Sequence, residues 1–163
     1  MGLAHLFAPW RFDYVSSSET TQACVFCAAA GGGRETLTLH SGVRAFALLN
    51  RYPYTSGHAM VAPVEHQADF TALDEATVAD MMALARRVVC ALEHVYHPHG
   101  FNLGFNLGEA AGAGIAEHLH MHIVPRWRGD TSFMTVGASV RVIPEDLEQT
   151  WDKVRTALEG GHA

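Results

Sequence analysis

The sequence contains little cysteine and carries no excess of positive charge. Its three cysteines among 163 residues are too few for a disulfide framework. Lys and Arg number 11 against 17 Asp and Glu, so the formal net charge is -6 with neutral histidine. Because nucleic-acid affinity rests on clustered positive charge, we expect no nucleic acid as a partner.

Long apolar runs are also missing. No stretch approaches the roughly 18 consecutive apolar residues that a membrane-spanning helix needs, so we expect no membrane partner. The N-terminal residues lack the apolar core of a signal peptide. The sequence therefore predicts a cytoplasmic protein.

The composition is that of one compact domain. Hydrophobic residues make up 48% of the chain and charged residues 17%. Neither an internal repeat nor a long linker interrupts it, and we treat residues 1–163 as a single domain. The small-residue stretch 28–33 is expected to be a flexible connection within that domain.

Hydrophobic periodicity predicts a mixture of strands and helices. Period-two patterns predict strands at residues 35–40, 43–50, 58–64, 100–107 and 118–125. A long helix is expected over 71–96, with its core stripe at Val78, Met81, Met82, Ala85, Val88, Val89, Leu92 and Val95. A last helix is expected from near Pro144 to before Gly160, with its stripe at Leu147, Trp151, Val154 and Leu158. Short early connections favour an antiparallel sheet and the α+β class.

Histidine is unusually frequent, with 11 in the chain, and three of these residues alternate at 118, 120 and 122. On a strand, His118, His120 and His122 share one face, while apolar residues occupy the other. Imidazole can act as nucleophile, proton carrier or metal ligand near neutral pH. The pattern alone does not say whether the histidines act as a nucleophile or bind a metal. The simplest alternative is a solvent-exposed strand face that happens to carry histidine.

A loop rich in small residues, 106–114, leads into the histidine segment. Exposed backbone amides in a glycine-rich loop suit phosphate oxygens, because they supply partial positive charge without a lysine. An ordinary tight turn would explain the glycines equally well. Beside three histidines, however, the loop favours phosphoryl or nucleotidyl transfer.

Two of the cysteines have the spacing of metal ligands. Cys24 and Cys27 form a C-x-x-C pair, which requires two further donors to close a zinc site. The histidine candidates for those donors are His40, His58, His66 and His118. Such a site would be structural, and a redox pair or two unliganded thiols are the alternatives.

Several segments together resemble the histidine-triad (HIT) superfamily of nucleotide hydrolases and transferases. The triad segment 118–126 carries the resemblance, and segments 46–53 and 57–63 are similar to the family's nucleotide-binding strands. Segments 8–11 and 127–130 resemble its bacterial diadenosine tetraphosphate phosphorylase branch, also called ATP adenylyltransferase. The match covers about residues 6–158.

The resemblance implies an antiparallel sheet of about five strands, two main helices and a homodimer. It also implies cleavage of diadenosine tetraphosphate by phosphorolysis to ATP and ADP, through a covalent adenylyl-histidine. Adenine nucleotides and inorganic phosphate are then the partners. The alternatives are a HIT hydrolase of dinucleoside polyphosphates or nucleoside phosphoramidates, a zinc hydrolase using all three strand histidines, and a non-catalytic nucleotide sensor.

Site residues follow from the same resemblance. It implies that His120 is the nucleophile and that His122 and His58 support its tautomer and charge. The remaining nucleotide contacts are implied for Asn50 with the ribose, Phe46 and Leu48 with the base, and Asn106, Gly112 and Gly114 with the phosphates. We add Trp127 to the nucleotide pocket as a stacking residue.

The zinc-containing relatives select one ligand set from the candidates: Cys24, Cys27, His66 and His118. The triad residue His118 would then serve structure more than chemistry, and the mechanism strictly requires no catalytic metal. Many hydrolases of the family carry a glutamine and a serine or threonine after the loop glycine, whereas this chain has Ala113 and Gly114. That difference favours the phosphorylase branch, because the space it leaves can admit inorganic phosphate.

Overall fold

The computed structural model describes residues 24–130 and 145–161. Five strands form one sheet in the order β1-β2-β3-β5-β4, and every neighbouring pair is antiparallel. Their bounds are β1 Thr38–Ser41, β2 Ala45–Leu49, β3 Ala59–Pro63, β4 Gly100–Phe105 and β5 Met121–Arg126. The predicted α+β class and five-stranded antiparallel sheet are confirmed.

Within the described residues, three helices lie among these strands. They are α1 Val25–Ala30, α2 Glu75–Tyr96 and α3 Leu147–Glu159, and short 3-10 turns occur at Phe70–Ala72 and Glu109–Ala111. No helix within the described ranges is long and apolar enough to cross a bilayer. The two long helices match the two main helices of the prediction, and α1 is an addition.

The main core lies between one face of the sheet and the helices α2 and α3. Sheet residues such as Ala47, Val61 and Ile123 meet Val88 of α2 and Val154 of α3, and all five are fully buried. This burial stabilises the sheet, because removing apolar surface from water contributes about 25 cal/mol per Å². The opposite sheet face is therefore left for a smaller cluster and for the histidines.

That smaller cluster joins α1 to the sheet. Phe26 and Ala29 of α1 pack on alternate sheet residues, and its buried members are Phe26, Ala29, Phe46, Leu48, Met60 and Ala62. Met60 is the cross-strand partner of His122, so the two side chains share this face. The strand period thus separates the face covered by α2 and α3 from the face that carries α1 and the triad.

The expectation of a flexible connection over residues 28–33 is wrong in its first half. Residues through Ala30 belong to α1, and only the glycines after it form a loop. Alanine has the highest helix propensity, and Phe26 and Ala29 at i and i+3 give this short helix a face that can be buried. Two of the glycines, Gly32 and Gly33, have positive φ and turn the chain towards β1.

The long helix begins later than expected, and its expected core stripe is confirmed at Met81, Ala85, Val88 and Leu92. Its N-cap is Asp74, whose carboxylate accepts a hydrogen bond from the Thr77 backbone N–H. Met82 is 51% exposed, so its assignment to the core was wrong, while Leu84 and Ala91 are buried instead. The expected core stripe of α3 is confirmed at Trp151, Val154 and Leu158. Pro144, the expected start of that helix, lies outside the described residues, and so does segment 8–11.

The triad strand is also shorter than predicted. β5 begins at Met121, so His118 and His120 precede it. The backbone N–H of Leu119 donates to the carbonyl of Gln67, at 2.7 Å, in the connection between β3 and α2. The segment has therefore left the β3–β5 ladder, although both histidines remain buried.

Candidate active site

His120 is held in a defined tautomer. Its Nδ1 lies 2.8 Å from the backbone carbonyl of His118, and because a carbonyl only accepts, Nδ1 carries the proton. Burial lowers the pKa of His120, while its hydrogen bond to His118 acts in the opposite direction. The imidazole is therefore neutral near pH 7, with the lone pair on Nε2.

Two rings pack against that imidazole. The ring of Phe26 stacks on it, with centroids 4.6 Å apart and planes at 27°. His122 meets it edge-on, with a centroid distance of 5.0 Å. His120, the candidate nucleophile, is thus held between Phe26 of α1 and His122 of β5.

A chain of hydrogen bonds orients His122. The backbone N–H of Tyr54 donates to His58 Nδ1 at 3.1 Å, so the neutral His58 carries its proton on Nε2. That Nε2 lies 2.9 Å from His122 Nδ1 and donates to it. His122 therefore carries its proton on Nε2, and this N–H can donate a hydrogen bond to the oxygen of a leaving group.

The predicted phosphate-binding residues lie in the loop that follows β4, the strand next to the triad. Asn106 follows β4, which pairs with β5 so that Gly104 faces His122. The loop folds into the 3-10 turn Glu109–Ala111, and Gly112 ends that turn with φ +88°. The structure thus gives part of the expected glycine loop a regular turn, with Gly114 exposed beyond it.

The other predicted nucleotide contacts are spread around this face. Asn50 follows β2, and its Oδ1 accepts a hydrogen bond from the Tyr52 N–H at 2.9 Å. Phe46 and Leu48 are both buried under α1. Trp127 is half-buried in the turn after β5, where its backbone N–H donates to the Asp130 carboxylate at 3.3 Å.

One group of side chains is arranged as a metal site in the part of the chain that the structure describes. The ligand atoms of Cys24, Cys27, His66 and His118 all lie within 4.8 Å of one another. The Cys24 sulfur is 3.4 Å from His118 Nδ1, and the Cys27 sulfur is 3.2 Å from His66 Nδ1. Zn–S and Zn–N bond lengths put the ligands of a tetrahedral zinc roughly 3.3–3.8 Å apart, so the donors fit that ion.

His118 is prepared for this role by its second nitrogen. Its Nε2 lies 2.9 Å from the Pro63 carbonyl and donates to it, which leaves Nδ1 for a metal. Of the four histidine candidates, the structure brings His66 and His118 to the cysteines and places His40 and His58 elsewhere. The cluster leaves out His120 and His122, which does not favour a catalytic zinc bound by all three triad residues.

Three residues of the site were missed by the sequence analysis. Phe26 lies between the two cysteines, Tyr54 supplies the amide that orients His58, and Pro63 supplies the carbonyl that orients His118. The signal for Phe26 was available, because a large apolar residue inside a C-x-x-C pair must pack on something. The two backbone contacts carry no side-chain signal.

The comparisons with known proteins agree with this geometry. The HIT domain family model matches residues 36–129. A Mycobacterium tuberculosis protein named AP-4-A phosphorylase is 36% identical over 157 residues, a match that covers 91% of this chain and 80% of that protein. The chain, an α+β protein with a histidine relay on one sheet face, therefore belongs to the HIT domain family.

Solved structures support the same assignment. A Zn-bound histidine triad family protein from Mycobacterium smegmatis superposes with a TM-score of 0.70 at 34% identity, covering 85% of this chain and 94% of that one. A hypothetical histidine triad nucleotide-binding protein from Sulfolobus tokodaii gives 0.68 at 28% identity, covering 84% and 93%. The predicted family and its fold are thereby confirmed.

Proposed function

We propose that this protein is a nucleotidyl transferase that cleaves diadenosine tetraphosphate by phosphorolysis to ATP and ADP. The observation that carries the proposal is the hydrogen bond from His120 Nδ1 to the His118 carbonyl, because it fixes the proton on Nδ1 and leaves the lone pair of the neutral imidazole on Nε2. The similarity over 91% of the chain to a protein named AP-4-A phosphorylase supports the choice of substrate.

In the first step, His120 Nε2 attacks the α-phosphorus of one adenylyl group. The P–N bond forms as the bond to the bridging oxygen breaks, and the leaving oxygen departs as ATP. His122 Nε2–H is the donor to that oxygen, because His58 already donates to its other nitrogen. The product on the enzyme is an adenylyl phosphoramidate at His120.

In the second step, an oxygen of inorganic phosphate attacks the same phosphorus. The P–N bond breaks, the electron pair returns to His120 Nε2, and ADP leaves. Water in place of phosphate would give AMP, which is the hydrolase alternative. The small residues Ala113 and Gly114 leave space for the larger acceptor, which supports phosphorolysis.

The substrate would lie along the face that carries the triad. We assign Asn50 to the ribose hydroxyls and Asn106, Gly112 and Gly114 to the phosphates. We assign Phe46 and Leu48 to the apolar backing of the adenine site, with Trp127 stacking at its side. Loop amides would stabilise the charge of the departing polyphosphate.

We also assign a structural zinc ion to Cys24, Cys27, His66 and His118. When bound, it supplies a cross-link between α1 and the sheet rather than any chemistry at phosphorus. His118 contributes Nδ1 to the cluster and its carbonyl to His120, so it serves both sites.

A homodimer through β4 completes the proposal. β4 is an edge strand of the sheet, and Leu103 on it is 47% exposed. The neighbouring Phe70 and Phe105 rings lie 5.4 Å apart, which extends the apolar surface beside that edge. We expect Leu103→Glu to convert the dimer to a monomer in light scattering, and an unchanged mass would contradict this interface.

The covalent intermediate tests the mechanism. The protein is mixed with diadenosine tetraphosphate in the absence of phosphate, quenched within seconds and weighed by intact mass spectrometry. We expect one adenylyl group per chain, localised to His120 and missing in His120→Ala. Binding of the nucleotide without any adduct or turnover would favour a sensor, and turnover of a nucleoside phosphoramidate alone would favour that hydrolase.

A further inference from the structure

A cavity lies at the far edge of the sheet from the triad. It has a volume of about 370 Å³ and opens between the glycine loop after α1, strand β1, and the helices α2 and α3. β1 and β5 are separated by two strands, which puts the cavity about 14 Å or more from the triad strand. The volume falls within the range of small-molecule sites.

Positive charge dominates its lining. Arg87 of α2 and Arg155 of α3 both line the cavity, together with His40 and Ser41 of β1. Arg155 donates from Nε to Glu159 at 2.8 Å, so the carboxylate in the lining is already balanced by one guanidinium. The charge of Arg87 is the excess.

Arg87 has a neutral partner. Its Nη1 lies 3.3 Å from His40 Nε2, and no carboxylate of the described ranges lies within ion-pair distance of it. Burial and the nearby Arg87 charge lower the pKa of His40, so this histidine accepts rather than repels. Arg87 is half-buried and has no counter-charge among the described residues, so an anion in the cavity would gain a charge-assisted hydrogen bond from it.

The glycine loop keeps the cavity open. Gly32 has φ +81°, and a Cβ placed on it would lie 3.0 Å from the Ser41 hydroxyl oxygen. A side chain there would crowd the space next to Ser41, which offers a hydroxyl donor. Guanidinium, hydroxyl and exposed backbone are the groups that bind phosphate oxygens.

We propose that this cavity, which we call the β1-edge cavity, binds a phosphate monoester of a small polar molecule. Arg87 pairs with the phosphate, Ser41 donates to it, and the volume beyond them holds the organic part. Inorganic phosphate has a similar charge but fills only part of the space, so it should bind more weakly. The site is separate from the triad face and does not depend on the proposed reaction.

An NMR titration of the full chain tests the proposal. Ribose 5-phosphate and inorganic phosphate are added separately at constant ionic strength while backbone amides are followed. We expect saturable shifts at Gly32, Gly33 and Ser41 with tighter binding of ribose 5-phosphate. Shifts confined to the loop at 108–114, or shifts that follow salt alone, would overturn the proposal.

Matched variants distinguish a specific contact with Arg87 from a general effect of positive charge. Arg87→Gln is expected to weaken ribose 5-phosphate binding at the β1-edge cavity about tenfold or more, because a charge-assisted hydrogen bond is lost. Arg86→Gln removes the same charge from an exposed position on the same helix and should leave the affinity within about twofold. Arg87→Lys keeps the charge and should bind more tightly than Arg87→Gln. Equal weakening by the Arg86 and Arg87 variants would contradict a site at Arg87.

Discussion

The ring of Phe26 stacks on the imidazole of His120, with centroids 4.6 Å apart and planes at 27°. Phe26 lies between the two cysteines of the metal cluster, and it is 1% exposed. The same cluster includes His118, whose carbonyl fixes the tautomer of His120. The segment that holds the metal cluster therefore also holds the proposed nucleophile, through one ring contact and one hydrogen bond.

Replacing the Phe26 ring with a smaller aliphatic side chain should slow the chemical step more than it weakens substrate binding. We expect Phe26→Leu to lower kcat about tenfold with little change in KM, because the imidazole loses the contact that orients Nε2. The lost volume should also reduce stability by about 1 kcal/mol. Stopped-flow formation of the adenylyl adduct measures the first effect. Val25→Ala, at a 52% exposed position of the same helix, is the control; equal losses in both variants would argue against a specific role for the ring.

Removing the donor to His122 should impair leaving-group departure. His58→Phe keeps a ring of similar size but cannot donate to His122 Nδ1, so His122 is no longer held in one tautomer. We expect kcat to fall about 100-fold, the lower part of the range for acid–base groups. The exposed His94→Phe is the matched control. A substrate with a better leaving group should regain most of the rate, and a failure to regain it would mean that His58 acts only in folding.

Loss of the metal should lower stability without abolishing adduct formation. We expect about one zinc per chain by elemental analysis, and a fall in Tm of about 10 °C on chelation, since metal binding energy is folding energy. Cys24→Ser should reproduce that fall, whereas Cys90→Ser, in α2 away from the cluster, should retain the metal. Complete loss of adduct formation in a folded, metal-free protein would show that zinc takes part in the reaction.

The carboxylate of Glu145, just before α3, should make the folding stability depend on pH. Glu145 accepts hydrogen bonds from Lys153, Tyr96 and Thr150. Burial alone would raise its pKa, but these bonds outweigh burial and lower the pKa below the ordinary 4.5. The stabilisation is therefore present above about pH 4.5 and is lost as pH falls through the folded-state pKa.

We accordingly expect Glu145→Gln to lower Tm by about 4 °C at pH 7 and to approach the unmodified protein below about pH 4. Thermal unfolding across this pH range measures the difference. Glu148→Gln, whose side chain is 77% exposed, should change Tm little at any pH. A pH-independent effect of Glu145→Gln would mean that packing rather than charge is responsible.

Much of this architecture could be predicted because it depends on side-chain periodicity. The alternation around Met121 and Ile123 identified the face that packs on the helices, and the i, i+4, i+7 spacing of Met81, Ala85 and Val88 identified α2. The metal ligands His66 and His118 came from family resemblance, because a C-x-x-C pair alone does not say which histidines approach it.

The errors and omissions have a different physical origin. Met82 fits an apolar stripe by type but lies at an angle where α2 faces outward. The orienting contacts of Tyr54 and Pro63 use backbone N–H and C=O groups, which every residue possesses. Arg87 and His40 are 47 residues apart in the chain, and they meet only through the packing of α2 on the sheet.

Product analysis tests the central claim most directly. The protein is incubated with diadenosine tetraphosphate, with and without inorganic phosphate, beside His120→Ala, and the nucleotides are separated by chromatography. Our account predicts ATP and ADP in equal amounts, dependent on phosphate and missing with His120→Ala. ATP and AMP formed at the same rate with or without phosphate would contradict phosphorolysis, and turnover that survives in His120→Ala would contradict the nucleophile.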